Sequence, residues 1–362
     1  MKLQVKTTVL KDLINKVTKI STNNKMIPLT GLLSISLNNG ILKATASDAV
    51  NFFSISVPDI TGDDFNVVVK VDSFHKIVTK TTSENITLEL TDKILNFTGN
   101  GTYKIELPLN EEGLPIKYPT INVLGDVENS GTITMATIKS IIMSNKSALA
   151  VTSEAPYLMN YACTPDNIVS ADSYNICINT AKTFGTTVLI APVVFDLLNL
   201  FDAEEVNYKF DGKAFEFKTD KMFLYAKTAN GIEDYPVDAI MGYAETTLPS
   251  KCSISKTAIL NTLDRLSLFI GDFDINGVYL NFTKDGIKVT SKNDLGSELI
   301  PYSGSDNFNE YICLASVDAL KKQISARSGE TVNIEYGEEN VLKFVDNNII
   351  HIVALLGDDE EA

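Results

Sequence analysis

Histidine occurs only twice in the 362 residues, at positions 75 and 351, and no His-Glu-x-x-His, Gly-x4-Gly-Lys-Ser/Thr or Gly-x-Gly-x-x-Gly run is present. These scarcities exclude the sequence signatures of zinc peptidases, phosphate-loop hydrolases and dinucleotide-binding enzymes. His75 falls in a helical segment and His351 in the last strand, and each reads as structural. The four cysteines, Cys163, Cys177, Cys252 and Cys313, form no CxxC pair and no even framework, so they read as structural thiols rather than disulfides or zinc ligands. No apolar run reaches the roughly 18 residues that span a bilayer, and lysines interrupt Met1–Ile20. A cytoplasmic protein with no membrane partner is expected. Positive charge is also in deficit, with 31 Lys and Arg against 46 Asp and Glu for a net −15. At first sight that balance argues against a nucleic-acid partner, whose phosphates bind Lys and Arg.

What is present is a repeat. The stretch from Thr187 to Ala226 holds a short apolar run (Val188–Ile190), a helical segment from Pro192, and two alternating strands around Asp211-Gly212. Val206, Tyr208 and Phe210 face one way on the outgoing strand, and Phe215 and Phe217 return. The same order occurs upstream, from Val67 through a helical segment at Asp72–Thr81 to Leu95 and Phe97, and downstream, from Tyr311 through Ser316–Ala326 to Leu342 and Phe344. Phe97 and Phe217 are 120 residues apart, Phe217 and Phe344 127. The chain therefore reads as three copies of one unit, at 1–125, 126–247 and 248–362, each of ordinary domain size. Each unit has two helices and hairpin-connected strands, which predicts an α+β fold with antiparallel sheets. The expected helices are Thr8–Ile20, Asp72–Thr82, Thr134–Ala148, Ala191–Asp202, Ile254–Ser267 and Ala315–Arg327. Tyr157–Cys163 is expected as a strand, and Asn110–Asn122 and Gly231–Pro249 as surface connectors.

Charge is unevenly spread over that plan. The six helices hold twelve Lys and Arg against six Asp and Glu, a net +6, while the rest of the chain carries −21. A basic helical surface facing a polyanion would account for this, and so would lysines solvating amphipathic helices. The stretch Asp272-Phe273-Asp274-Ile275-Asn276-Gly277 has the first half of a calcium loop. The twelfth position, where a bidentate Glu belongs, is Thr283, so an acidic turn is expected, with no metal and no cofactor. The terminal Asp358–Glu361 reads as a solvated tail.

From Met1 to Leu356 the chain resembles the bacterial β sliding clamp, the processivity factor of replicative DNA polymerase. Ile27–Leu33 looks like that family's "TLPIL-N-LL" run, Leu42–Asp48 like its "L-L-A-T-D" strand, and Tyr235-Pro236 falls where it has "FPDY" or "YPDY". Ala171–Ile176 falls where the family has "TDGHRLA". The resemblance implies a head-to-tail homodimeric ring around double-stranded DNA, bound without sequence preference. It also implies a replicative polymerase and a clamp loader as partners, and no catalysis. It implies DNA contacts at Lys11, Lys16, Lys19, Lys25, Lys76, Lys80, Lys139, Lys146, Tyr157, Lys256, Arg265, Lys321, Lys322 and Arg327. A pocket for partner peptides would be walled by Leu158, Ala171, Ser173, Tyr174, Asn175, Ile176, Pro236, Ile240, Met241, Ile352, Ala354 and Leu356. Tyr103 and Ile105 of one chain would meet Phe269 and Ile270 of the other. Two departures, Ser173–Ile176 in place of "GHRL" and an Ala354-Leu355-Leu356 ending in place of "MPMRL", imply a divergent clamp with its own partner motif and leave cellular, phage and plasmid origins open. The rival expectation is a three-domain scaffold that never encloses DNA. It rests on the fourth helix, which has two acids and no Lys or Arg.

Overall fold

The structure, a computed structural model, describes residues 1–121, 123–152, 155–270 and 276–357. Asp272–Ile275 of the half calcium loop and the acidic tail lie outside the described residues. Seven α-helices are present among the described residues: α1 (Thr7–Val17), α2 (Val71–Lys80), α3 (Met135–Ser144), α4 (Pro192–Leu198), α5 (Val237–Glu245), α6 (Lys256–Ser267) and α7 (Val317–Ser325). Six of them fall on the expected segments. In α1, Leu10, Leu13, Ile14 and Val17 are buried along one stripe, as their spacing predicts. Ser255 and Ser316 cap α6 and α7, each Oγ accepting from the backbone N–H three residues on.

Two expectations are corrected. The connector Gly231–Pro249 contains α5, which begins just after Pro236 and buries Ile240. The strand expected from Tyr157 starts only at Tyr161, since Pro156 opens a 3-10 turn over Pro156–Met159.

The strands form four antiparallel sheets divided between two compact units. The first unit, Met1–Met135 with Val193–Thr228, holds a four-stranded sheet ordered Lys2–Lys6, Asn85–Thr91, Ile94–Thr98, Thr102–Glu106. It also holds an eight-stranded sheet ordered Phe65–Lys70, Leu32–Asn38, Ile41–Ser47, Phe52–Val57, Met222–Lys227, Ala214–Lys218, Glu205–Phe210, Asn129–Thr134. The second unit is Ala136–Pro192 with Ala229–Ala362. Its nine-stranded sheet includes, in order, Asn167–Ala171, Asn175–Thr180, Ile349–Ala354, Val341–Asp346 and Thr331–Tyr336. Its four-stranded sheet runs Ser297–Pro301, Gly286–Ser291, Gly277–Thr283, Tyr311–Ser316.

Both large sheets contain pairings between strands far apart in the sequence. Phe52–Ile55 pairs with Met222–Tyr225, and Asn175–Asn179 pairs with Ile349–Val353. Residues of the expected second repeat, 126–247, fall in both units. The hairpin at Asn38–Ile41 turns through Asn39 (φ 49°) and Gly40 (φ 77°), the two positive φ values that a twisted two-residue turn requires. In the Thr187–Ala226 block, Val206, Tyr208 and Phe210 are buried as predicted, and the Phe210, Phe215 and Phe217 rings stack at 4.3 and 5.3 Å. All four cysteines are buried and free, and burial pushes the Cys252 and Cys313 thiols up to about 12.

Candidate protein-binding pocket and basic helix faces

The second unit contains a cavity of about 440 Å³ where the end of Ile349–Ala354 meets the start of Asn175–Thr180. The turn into the latter strand is built by Asp172. Its Oδ1 accepts from the N–H groups of Tyr174 (2.8 Å) and Asn175 (2.7 Å), and Asn175 Nδ2 donates back to the carboxylate at 3.0 Å. Lys322 Nζ donates to Oδ2 at 3.1 Å. The first repeat has the same device, with Asp48 Oδ1 accepting from Val50 and Asn51 N–H groups and Asn51 Nδ2 donating to Asp48. This geometry thrusts Tyr174 outward, 55% exposed, and the Ala354 N–H locks it by donating to the Tyr174 carbonyl at 2.8 Å.

Of the twelve expected pocket residues, Ser173, Tyr174, Asn175, Ile176, Ile352 and Ala354 line this cavity. Leu158, Ala171, Ile240 and Met241 instead belong to, or pack against, the apolar cluster around Val169 and Tyr235. Pro236 precedes α5 and is exposed, while the Leu356 N–H donates to the Leu314 carbonyl. Sequence reasoning missed Tyr243 and Thr246, which come from α5 and its C-cap, as well as Val341, Leu355 and the turn residues Glu339 and Asn340. The helical spacing of Val237, Ile240 and Met241 was the available signal for α5.

Lys343 holds that helix in place. Its side chain is buried (1% exposed), and its ammonium donates to the carbonyl of Ala244 at 2.9 Å and to that of Thr246. A cation there meets the negative end of the α5 dipole and satisfies carbonyls the helix leaves unpaired. Desolvation lowers the ammonium's pKa. Lys343→Met should leave those carbonyls without a donor and cost about 1–3 kcal/mol, read as a fall in the urea midpoint without a change in m-value. An unshifted midpoint would remove this role.

The basic residues divide into free and committed ones. In the first unit α1 packs on α2. The groove between them, about 590 Å³, is lined by Asn15, Lys19, Asn23, Asp72, His75 and Lys76 among others. His75 is half-exposed there, its Nε2 3.0 Å from Asn15 Oδ1. Lys11, Lys19, Lys25, Lys76 and Lys80 pair with no carboxylate among the described residues, whereas Lys16 pairs with Asp12 at 2.9 Å. In the second unit Lys139 and Lys146 are exposed. Arg265 grips Glu298 through two bonds of 2.7 and 2.6 Å, which raises the guanidinium's pKa and lowers the carboxyl's. Lys321 pairs with Asp264, Lys322 with Asp172, and Lys256 donates to the carbonyls of Ser325 and Arg327. Exposed pairs of this kind are weak in water, so a phosphate can compete for the cation.

One expected contact sits elsewhere. The Arg327 side chain is 2% exposed, and its Nη1 donates to the Phe344 carbonyl at 2.8 Å and to His351 Nδ1 at 3.4 Å. It is removed from the basic surface, because a guanidinium buried against a strand cannot reach a phosphate. Tyr157 is half-buried, its ring edge-on to Tyr235 at 6.0 Å. At the expected contact between chains, Tyr103 (46% exposed) and half-buried Ile105 lie on Thr102–Glu106, an outer strand of its sheet. Just past α6, Leu268 is 81% and Phe269 48% exposed, while Ile270 packs partly on the core. Among the described residues no three His, Cys, Asp or Glu side chains converge on a metal position, and no helix is long and apolar enough to cross a membrane.

The helices and antiparallel sheets have the fold of DNA sliding clamps, and the expected α+β class holds. Over 99% of its length the chain is similar to the DNA polymerase sliding clamp from Bacillus subtilis (17% identity, 99% of that chain, TM-score 0.83). It is similar over the same share to DNA polymerase III subunit beta from Borrelia burgdorferi in complex with a natural product (17% identity, 99% of that chain, TM-score 0.86). A third similar structure is the sliding clamp from Pseudomonas aeruginosa bound to griselimycin (12% identity, 99% of this chain and 100% of that one, TM-score 0.84). No family model and no curated protein matches the sequence.

Proposed function

We propose that this chain is a divergent DNA sliding clamp, a cytoplasmic, non-catalytic protein that encircles duplex DNA and tethers a replicative polymerase after a clamp loader has placed it. The observation that carries this reading is the likeness to polymerase clamps over 99% of the chain, with TM-scores of 0.83 to 0.86. In the proposed assembly the three repeats 1–125, 126–247 and 248–362 of two chains close a six-part ring, Thr102–Glu106 of one chain meeting Phe269 and Ile270 of the other. Lysines on the helices would hold DNA by weak, sequence-independent phosphate contacts, since strong base readout would stall sliding. The 440 Å³ cavity would take short apolar motifs from polymerase and loader.

Loaded protein should stay on nicked circular DNA at high salt and leave once the circle is cut, with a mass in solution near twice 39.6 kDa. Equal, salt-sensitive loss from circles and linear DNA would mean electrostatic binding alone. The second reading, a scaffold that never encloses DNA, draws support from α4, which carries Asp196 and no Lys or Arg. That outcome would favour it.

A further inference from the structure

We infer that the pocket selects peptides that carry a basic residue, Lys or Arg, beside their apolar anchors. This inference rests on the reading of that cavity as a partner-peptide site. The floor is aliphatic: Ile176, Val341 and Ile352 offer an anchor side chain contact with no polar partner to satisfy. The rim differs from the floor in two ways. Tyr174, from the turn before Asn175–Thr180, and Tyr243, from α5, line it 55% and 50% exposed, so both rings are open to a bound peptide. The charged side chains of the lining are both acidic, Asp172 and Glu339, and no Lys or Arg lines the cavity among the described residues.

The two acids are not equivalent. The Asp172 carboxylate is spent on Tyr174, Asn175 and Lys322, so its charge is already compensated. Glu339 is exposed and its carboxylate pairs with no cation among the described residues, with Glu338 next to it in the same turn. The turn that carries them is held in place by its own backbone. The Glu339 carbonyl accepts from the Val341 N–H at 2.8 Å, and the Asn340 carbonyl accepts from the Leu355 N–H at 2.9 Å. A carboxylate and two exposed tyrosines lining one cavity make a surrounding that a guanidinium or ammonium prefers, by ion pairing and by attraction to the ring quadrupole. An acidic side chain in the same place would meet Glu339 with like charge and gain nothing from the rings. Attraction from the chain's net −15 acts on any cation at any surface, so it must be separated from a local preference.

Two fluorescein-labelled hexapeptides that share two leucine anchors, one with arginine and one with aspartate between anchor and terminus, make the test by fluorescence anisotropy. On the intact chain the arginine peptide should bind about tenfold tighter at about 0.05 M NaCl, and the gap should narrow at about 0.5 M. Glu339→Gln and Tyr174→Leu, both at exposed positions, should each close part of the gap, with circular dichroism confirming an intact fold. Equal affinities, or a gap that neither variant changes, would overturn the basic preference and leave the pocket reading standing. Binding of neither peptide would overturn both.

Discussion

Phe269→Lys should turn the protein from a species of twice 39.6 kDa into one of 39.6 kDa in sedimentation at micromolar concentration. Phe269 follows α6 with nearly half its surface in water, and its ring lies against Gly296, where even an added Cβ would come within 3.4 Å of it. Leu268 beside it is 81% exposed, and Leu295 and Leu299 are 68% and 54% exposed. On the proposed opposite surface Tyr103 rides an outer strand whose free backbone edge invites pairing. In a two-chain ring each chain contributes this surface once, so one substitution damages both contacts. Losing a buried phenylalanine costs about 1.5–3 kcal/mol per contact and burying an unpaired ammonium costs more, which weakens association by several orders of magnitude. Because Phe269 is half in water in the isolated chain, the monomer should melt within a few degrees of the parent. A Phe269→Lys protein that still sediments at the doubled mass would place the contact between chains elsewhere.

The second large effect concerns His351, which is fully buried. A guanidinium can only donate, so the 3.4 Å contact with Arg327 Nη1 makes His351 Nδ1 the acceptor, and Nε2–H then donates to the Ser144 carbonyl at 3.2 Å. The neutral ring satisfies both neighbours. A second proton would aim a donor at a cation in a dry site. Burial, reinforced by Arg327, lowers the pKa from 6.5 to about 4 despite the Ser144 bond, which works the other way. The folded state therefore disfavours a proton that the unfolded chain takes up readily. Stability from this residue is complete above pH 6.5 and falls as pH drops toward about 4, by about 3 kcal/mol in total. Other carboxyl groups titrate in the same window, so the readout is a difference. His351→Gln, whose amide can donate to Ser144 and accept from Arg327 but cannot titrate, should lose about 3 kcal/mol less than the parent between pH 7 and 4. Parallel stability curves for the two proteins would mean that His351 charges without penalty.

Local features of this fold were readable because local physics sets them. Alternation placed Val206, Tyr208 and Phe210 inside, the Asn39-Gly40 pair marked a hairpin, and helical spacing located six helices. The misses share a cause. Arg327 reads as one more cation at a helix end, and only long-range pairing brings the Phe344 carbonyl and His351 around it. Lys343 likewise sits in an alternating strand, with nothing local to say that the end of α5 lies over it. Nor does any hydrophobic pattern state that Asn175–Asn179 takes Ile349–Val353 as its neighbour. The pocket was half legible for this reason: residues carried by its two paired strands were named, while those from α5 and the Glu338–Asn340 turn were not.

That same strand pairing sets a schedule for biosynthesis. Asn175 leaves the ribosome 174 residues before its partner region begins at Ile349, an interval of about 10–35 s at ordinary elongation rates. Until then one wall of the cavity does not exist, so a nascent chain carries no complete pocket. Over the same interval Asn175–Thr180 waits with one edge unpaired and open to pairing with another chain while translation proceeds.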